Sequence, residues 1–219
     1  MRILIVAATD PEVAPVLSRM YSTPSDDTSV DTYTHGAHEI DVLITGVGMV
    51  ATAAWCSRAL TLTSYDLALN IGVCGSFDEF LDPGTVVHVV SDRLAELGAE
   101  DDDRLLTIEE LELPGESEFA NLDPPSNPAL EQLPAVTAIT VNTVHGSERS
   151  IAAVTRRFKP QVESMEGAAF MSACLIHKVA FAQVRAVSNF VARRNRESWK
   201  MAEAIQNLNA AALHILNHA

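Results

Sequence analysis

The chain has 219 residues and carries 15 Lys or Arg against 29 Asp or Glu, a net charge of −14. With 47% hydrophobic and 20% charged residues, a largely disordered chain is excluded, and the length supports a full core without staples. The acidic balance argues against a protein that grips nucleic acid phosphates or anionic membrane, and no apolar run approaches the roughly 18 residues of a membrane span.

Arg2 to Ala8 is a continuous apolar run, as expected of a buried strand. It follows Met1 directly, so no signal peptide is expected and the chain reads as cytoplasmic. Asp10-Pro11 places a capping acid before a proline, which predicts a helix to about Met20. Residues 22–30 are polar and predict a loop. Strands are predicted over 31–33 and 39–45 about a turn at Gly36, then a helix from Gly46 and Gly48 through Leu62. Asp66 to Ile71 is another buried strand, ending in Gly72-Val-Cys-Gly75-Ser76.

Strands follow over 85–90 and 137–141. Between them, residues 95–135 hold twelve acids, one Arg and five prolines. That stretch reads as a surface excursion with a short helix at 108–111, placed to act as a lid. Helices are predicted over 147–158, 165–177 and 197–218, with a strand at 179–187. The alternation predicts a single-domain, three-layer α/β/α fold, its central twisted sheet mixed but mainly parallel.

Cys56, Cys74 and Cys174 form no CxxC pair and read as buried thiols. His35 and His38 form the only close histidine pair, without acids or thiols around them, so no metal is expected. Gly46-Val-Gly48-Met-Val-Ala51 superficially matches a dinucleotide fingerprint, but Asp66 sits at the start of the next strand rather than its end. A tight strand-to-helix turn is the better reading, and no cofactor is expected.

Glu12, in the first turn after the first strand, fits a dipole-stabilising surface acid or a carboxylate at the sheet edge where ligands bind. Glu166 is more telling. It heads an almost wholly apolar helix, so it is buried and needs partners, from the helix N-terminus and from ligand hydroxyls. Asn189 ends a strand, and Arg193, Arg194 and Arg196 follow, a basic loop suited to an anion or simply to solvent.

Five segments in order carry a resemblance: Ile5-Val-Ala-Ala-Thr-Asp-Pro-Glu12, Gly46-Val-Gly48, Asn70-Ile-Gly-Val-Cys-Gly75-Ser76, Glu163-Ser-Met165-Glu166-Gly, and Arg185-Ala-Val-Ser-Asn189. Together they resemble the superfamily of purine nucleoside phosphorylases and methylthioadenosine/S-adenosylhomocysteine nucleosidases. Ser91-Asp-Arg93, Thr140-Val-Asn-Thr143 and the segment Asn189 to Trp199 look like its futalosine hydrolase branch, which removes hypoxanthine from futalosine on a route to menaquinone.

The resemblance implies that Glu12 polarises the attacking water and that Met165 and Glu166 hold the ribose. Gly75 and Ser76 would line the water and ribose side, and Arg193 would bind substrate. Asn189 stands where adenine-cleaving members carry an Asp. An amide there can donate to O6 of hypoxanthine and accept from a protonated N7. The carboxylate-bearing tail would fall to Arg93, Arg193 or Arg194. An adenine-releasing nucleosidase, a phosphorylase and a silent nucleoside-binding module are the competing readings. Members commonly assemble as homodimers or larger homo-oligomers, so the same is expected here.

Overall fold

A computed structural model describes residues 1–23, 30–102 and 104–219. Most of the polar loop expected over 22–30 lies outside these residues, and its start belongs to a strand. In chain order the described elements begin with β1 (Arg2–Ala7), α1 (Asp10–Leu17), β2 (Tyr21–Thr23), β3 (Asp31–His35) and β4 (His38–Ile44). Then come α2 (Met49–Leu62), β5 (Leu67–Ser76), β6 (Val86–Leu94), β7 (Gly98–Asp101), β8 (Arg104–Thr107), β9 (Glu118–Ala120) and α3 (Pro128–Glu131). The chain closes with β10 (Ala135–Thr140), α4 (Glu148–Phe158), β11 (Val162–Ser164), α5 (Gly167–His177), β12 (Phe181–Phe190) and α6 (Met201–Leu216).

One ten-stranded mixed sheet runs in the order β11-β10-β6-β12-β5-β1-β4-β3-β2, with β9 added beside β6. The central run β12-β5-β1-β4 is parallel, whereas β6 joins β12 antiparallel. β11 also pairs with β5, Glu163 opposite Gly75, so five strands at that end close into a ring. The two helical layers are legible in β1. Ile3, Ile5 and Ala7 face a core with Leu208, Ala212 and Ile215 of α6, while Leu4 and Val6 face Cys56 of α2 and Phe170 of α5. Such two-sided burial is what a run without polar alternation requires.

Several elements differ from the sequence reading. β5 continues through Gly72 to Ser76 because Val162 and Glu163 pair with its glycine-rich end, and β12 continues through Asn189 and Phe190 across a bulge. Residues 108–112 form a turn rather than a helix. Glu109 there bonds the Ser117 backbone N–H at 3.2 Å and its hydroxyl at 2.6 Å, and is held down at about 2, chiefly by that hydroxyl. The acidic excursion folds into the β7–β8 hairpin, β9 and α3. None of its described residues lines the central cavity, which the lid expectation required.

Candidate functional site

β1, β4, β5 and β12 are parallel, so their carboxyl ends share one edge of the sheet, the place where open α/β sheets bind ligands. A cavity of about 530 Å³ opens there, lined by Glu12, Gly75, Met165, Glu166, Asn189 and Arg193 among others. Six of the seven expected site residues therefore meet in one place. Ser76 does not. Its buried hydroxyl bonds the Asp78 carbonyl at 2.9 Å and accepts from the Asp78 N–H at 3.0 Å, tying the end of β5 to the following turn.

Glu12 is buried at the start of α1. Its Oε2 accepts from the N–H and hydroxyl of Thr9, both at 2.9 Å, the return half of a capping box. Its Oε1 accepts from the N–H of Val73 at 3.1 Å. A helix cap and a strand edge thus fix both oxygens.

Glu166 precedes α5 but makes no side-chain cap to that helix, contrary to the expected source of partners. Its Oε1 accepts from the N–H of Gly48 at 3.0 Å, at the head of α2. Gly46 and Gly48 hold φ of 79° and 102°, backbone that favours glycine, so the turn after β4 can present that N–H. The other oxygen lies 3.8 Å from Nη1 of Arg185.

Arg185 is buried in β12 and was not singled out in the sequence. Its guanidinium bonds Gln183 at 3.0 Å and Asn70, and it fills the space that a side chain at Gly72 would need. The same point lies 3.0 Å from Oε1 of Glu12, so Arg185 and Glu12 close on Gly72 together. Behind it Gln183 donates to Asp92 at 3.1 Å, Thr140 donates to Asp92 at 2.9 Å, and the Ala168 N–H bonds Thr140 at 2.8 Å. Burial pushes the Asp92 carboxyl up to about 6, against the pull of those bonds.

In the wall formed by the end of β12, Ser188 donates to Oδ1 of Asn189 at 2.7 Å, and Nδ2 of Asn189 donates to the Phe190 carbonyl at 2.9 Å. These partners fix which end of the amide is which. Each end keeps one free valence, a lone pair and an N–H. His145 and Glu163 complete this wall, and the sequence reading passed over both. Arg193 lines the mouth as an exposed side chain, and Arg194 lies over the Trp199 ring at 5.3 Å. Arg93 lies elsewhere, paired with Glu118 beside the acidic excursion. Among the described residues no three His, Cys, Asp or Glu gather as a metal site.

Residues 2–218 match the sequence model of the Phosphorylase superfamily. The chain belongs to that superfamily. Its relatives there include the futalosine hydrolase of Thermus thermophilus, 31% identical over 180 residues covering 80% of each chain. The futalosine hydrolase of Streptomyces coelicolor is 30% identical over 225 residues, covering 96% of this chain and 93% of the relative. The fold matches that of futalosine hydrolase from Helicobacter pylori with a TM-score of 0.83, at 15% identity over 100% of this chain and 98% of that one. Superfamily membership fits a cavity with two buried carboxylates at the sheet edge and accounts for the order of the five sequence segments.

Proposed function

We propose that this chain hydrolyses the N-glycosidic bond of futalosine, releasing hypoxanthine and leaving water's oxygen on the sugar. The observation that carries the reading is that the buried carboxylates of Glu12 and Glu166 line one cavity together with the Asn189 amide. The futalosine hydrolases among the relatives supply the substrate.

N-glycosidic cleavage passes through an oxocarbenium-like state in which the purine leaves with the bond electrons. Glu12 retains lone pairs beyond its three bonds and polarises a water toward the anomeric carbon. Glu166 accepts from the ribose hydroxyls and, with Met165 beneath the sugar, stabilises the developing positive charge. Asn189 offers its remaining N–H to O6 and its remaining lone pair to a protonated N7, which steadies the leaving base. Arg193, exposed at the mouth, meets the carboxylate-bearing tail. The Glu12 carboxylate beside the nucleophile's position opposes phosphate and favours water.

A homodimer or larger homo-oligomer fits the chain's exposed apolar side chains near the cavity mouth, Val47 and Val50 at the head of α2 and Trp55 further along it. Among the described residues no helix is long and apolar enough to cross a membrane, and a cytoplasmic site of action agrees with a metabolic nucleosidase. The test is to offer futalosine, inosine, methylthioadenosine and S-adenosylhomocysteine, each with and without phosphate. Hypoxanthine from futalosine without phosphate is expected. Release only with phosphate, or release of adenine alone, overturns the reading.

A further inference from the structure

The same cavity carries a third buried glutamate that the mechanism leaves unused. Glu163 is buried, and both its oxygens are taken by one residue: Oε1 accepts the backbone N–H of His145 at 3.0 Å, and Oε2 lies 2.6 Å from its Nδ1. The ring is further fixed by Phe77, edge-on at 6.1 Å. No hydrogen bond to Nε2 of His145 occurs among the described residues, and His145 lines the cavity.

Strand register puts this pair beside Asn189. Gly75 of β5 is the cross-strand partner of Glu163 on one side and of Asn189 on the other. A side chain at Gly75 would lie 3.6 Å from both Nδ2 of Asn189 and Cγ of Glu163, so both project to the same side of the sheet there. The pair therefore stands on the Asn189 side of the cavity.

We infer that His145, oriented by Glu163, reads N1 of the purine and sets the preference for a 6-oxo over a 6-amino base; this deepens the proposed function and rests on it. A carboxylate only accepts, so at 2.6 Å it holds a ring proton on Nδ1, and the neutral tautomer with its proton there presents a lone pair at Nε2. A 6-oxopurine places N1–H next to O6 and O6 next to N7 along one edge. Asn189 takes O6 and N7, and His145, one step along, takes N1–H. A 6-aminopurine has a lone pair at N1, which faces the Nε2 lone pair and leaves both unpaired. His145 touches the base, and Glu163 is a positioning residue acting through it.

The test compares kcat/KM for futalosine and for its 6-amino analogue in the parent, His145→Phe and Glu163→Gln. The parent is expected to favour the 6-oxo substrate. His145→Phe should shrink that ratio about 10- to 100-fold, and Glu163→Gln should shrink it less. In the parent, the ¹⁵N resonance of His145 Nε2 should move on adding hypoxanthine and stay in place with adenine, a readout that needs no variant to fold. A parent that discriminates while both variants keep its ratio, or an Nε2 resonance unmoved by bound hypoxanthine, overturns the inference and leaves futalosine hydrolysis standing. A parent that cleaves both substrates equally removes the 6-oxo reading itself, and the inference with it.

Discussion

Against α1 and α6 the central sheet presents a continuous apolar cluster that includes Ile3, Ile5, Leu69, Val184 and Ala186. Against the head of α5 the neighbouring positions of the same strands present Asn70, Gln183 and Arg185, continued by Asp92 and Thr140. All five are buried. The dry face is held by area removed from water, which tolerates local error. The polar seam is held by mutual satisfaction, so loss of one member strands the rest. The difference shows where the chain commits to function: the seam fixes the Arg185 cation beside Glu166, and the dry face keeps the sheet rigid behind it.

Matched substitutions on the two faces sharpen that contrast most. Arg185→Met should cost about 3–5 kcal/mol in urea unfolding, because Glu166 is left buried with a single donor, and should also abolish measurable turnover. Leu208→Ala should cost about 2–5 kcal/mol through its cavity while kcat/KM per folded molecule stays at the parent value. Equal activity loss from both would erase the distinction between the faces.

The seam should also respond to pH where the dry face does not. Asp92 titrates near 6 when folded, above its ordinary value of 3.8, so folding favours its neutral form. Its contribution to stability is full below about pH 4 and is lost as pH rises through 6. The unfolding free energy of the parent relative to Asp92→Asn should therefore fall by about 3 kcal/mol across that window. A difference independent of pH would show that Asp92 is not held in this way.

Smaller effects separate residues in the cavity from those beside it. Asn189→Asp should slow hypoxanthine release about 10- to 100-fold with little shift in the urea midpoint, since the lost pairing is with the leaving base. Ser76→Ala should do the reverse, costing about 1 kcal/mol of stability at unchanged kcat/KM, because its hydroxyl serves the Asp78 turn.

Much of this was legible in the sequence. The apolar run of β1, the Pro11 that opens α1 (capped by Thr9 rather than the expected Asp10) and the glycines after β4 each encode their element locally, and the resembling segments led to six residues that line the cavity. β11 was missed because three residues carry no period, and its pairing with β5 lies 86 residues away in the chain at Val162 and Ser76. Arg185 left a signal that went unused. One Arg inside the run Phe181 to Val187 is costly unless paired, and Asn70 in its own apolar strand is the matching half. His145 and Glu163 left none, because their partnership depends on β10 and β11 lying side by side.

Cleavage of futalosine in H₂¹⁸O without phosphate tests hydrolysis at this cavity most directly, with the sugar product read by mass spectrometry at early times. One ¹⁸O atom on the released sugar, with stoichiometric hypoxanthine and loss of both in Glu12→Gln, is the predicted result. An unlabelled or phosphorylated sugar, or a Glu12→Gln variant as fast as the parent, would contradict it.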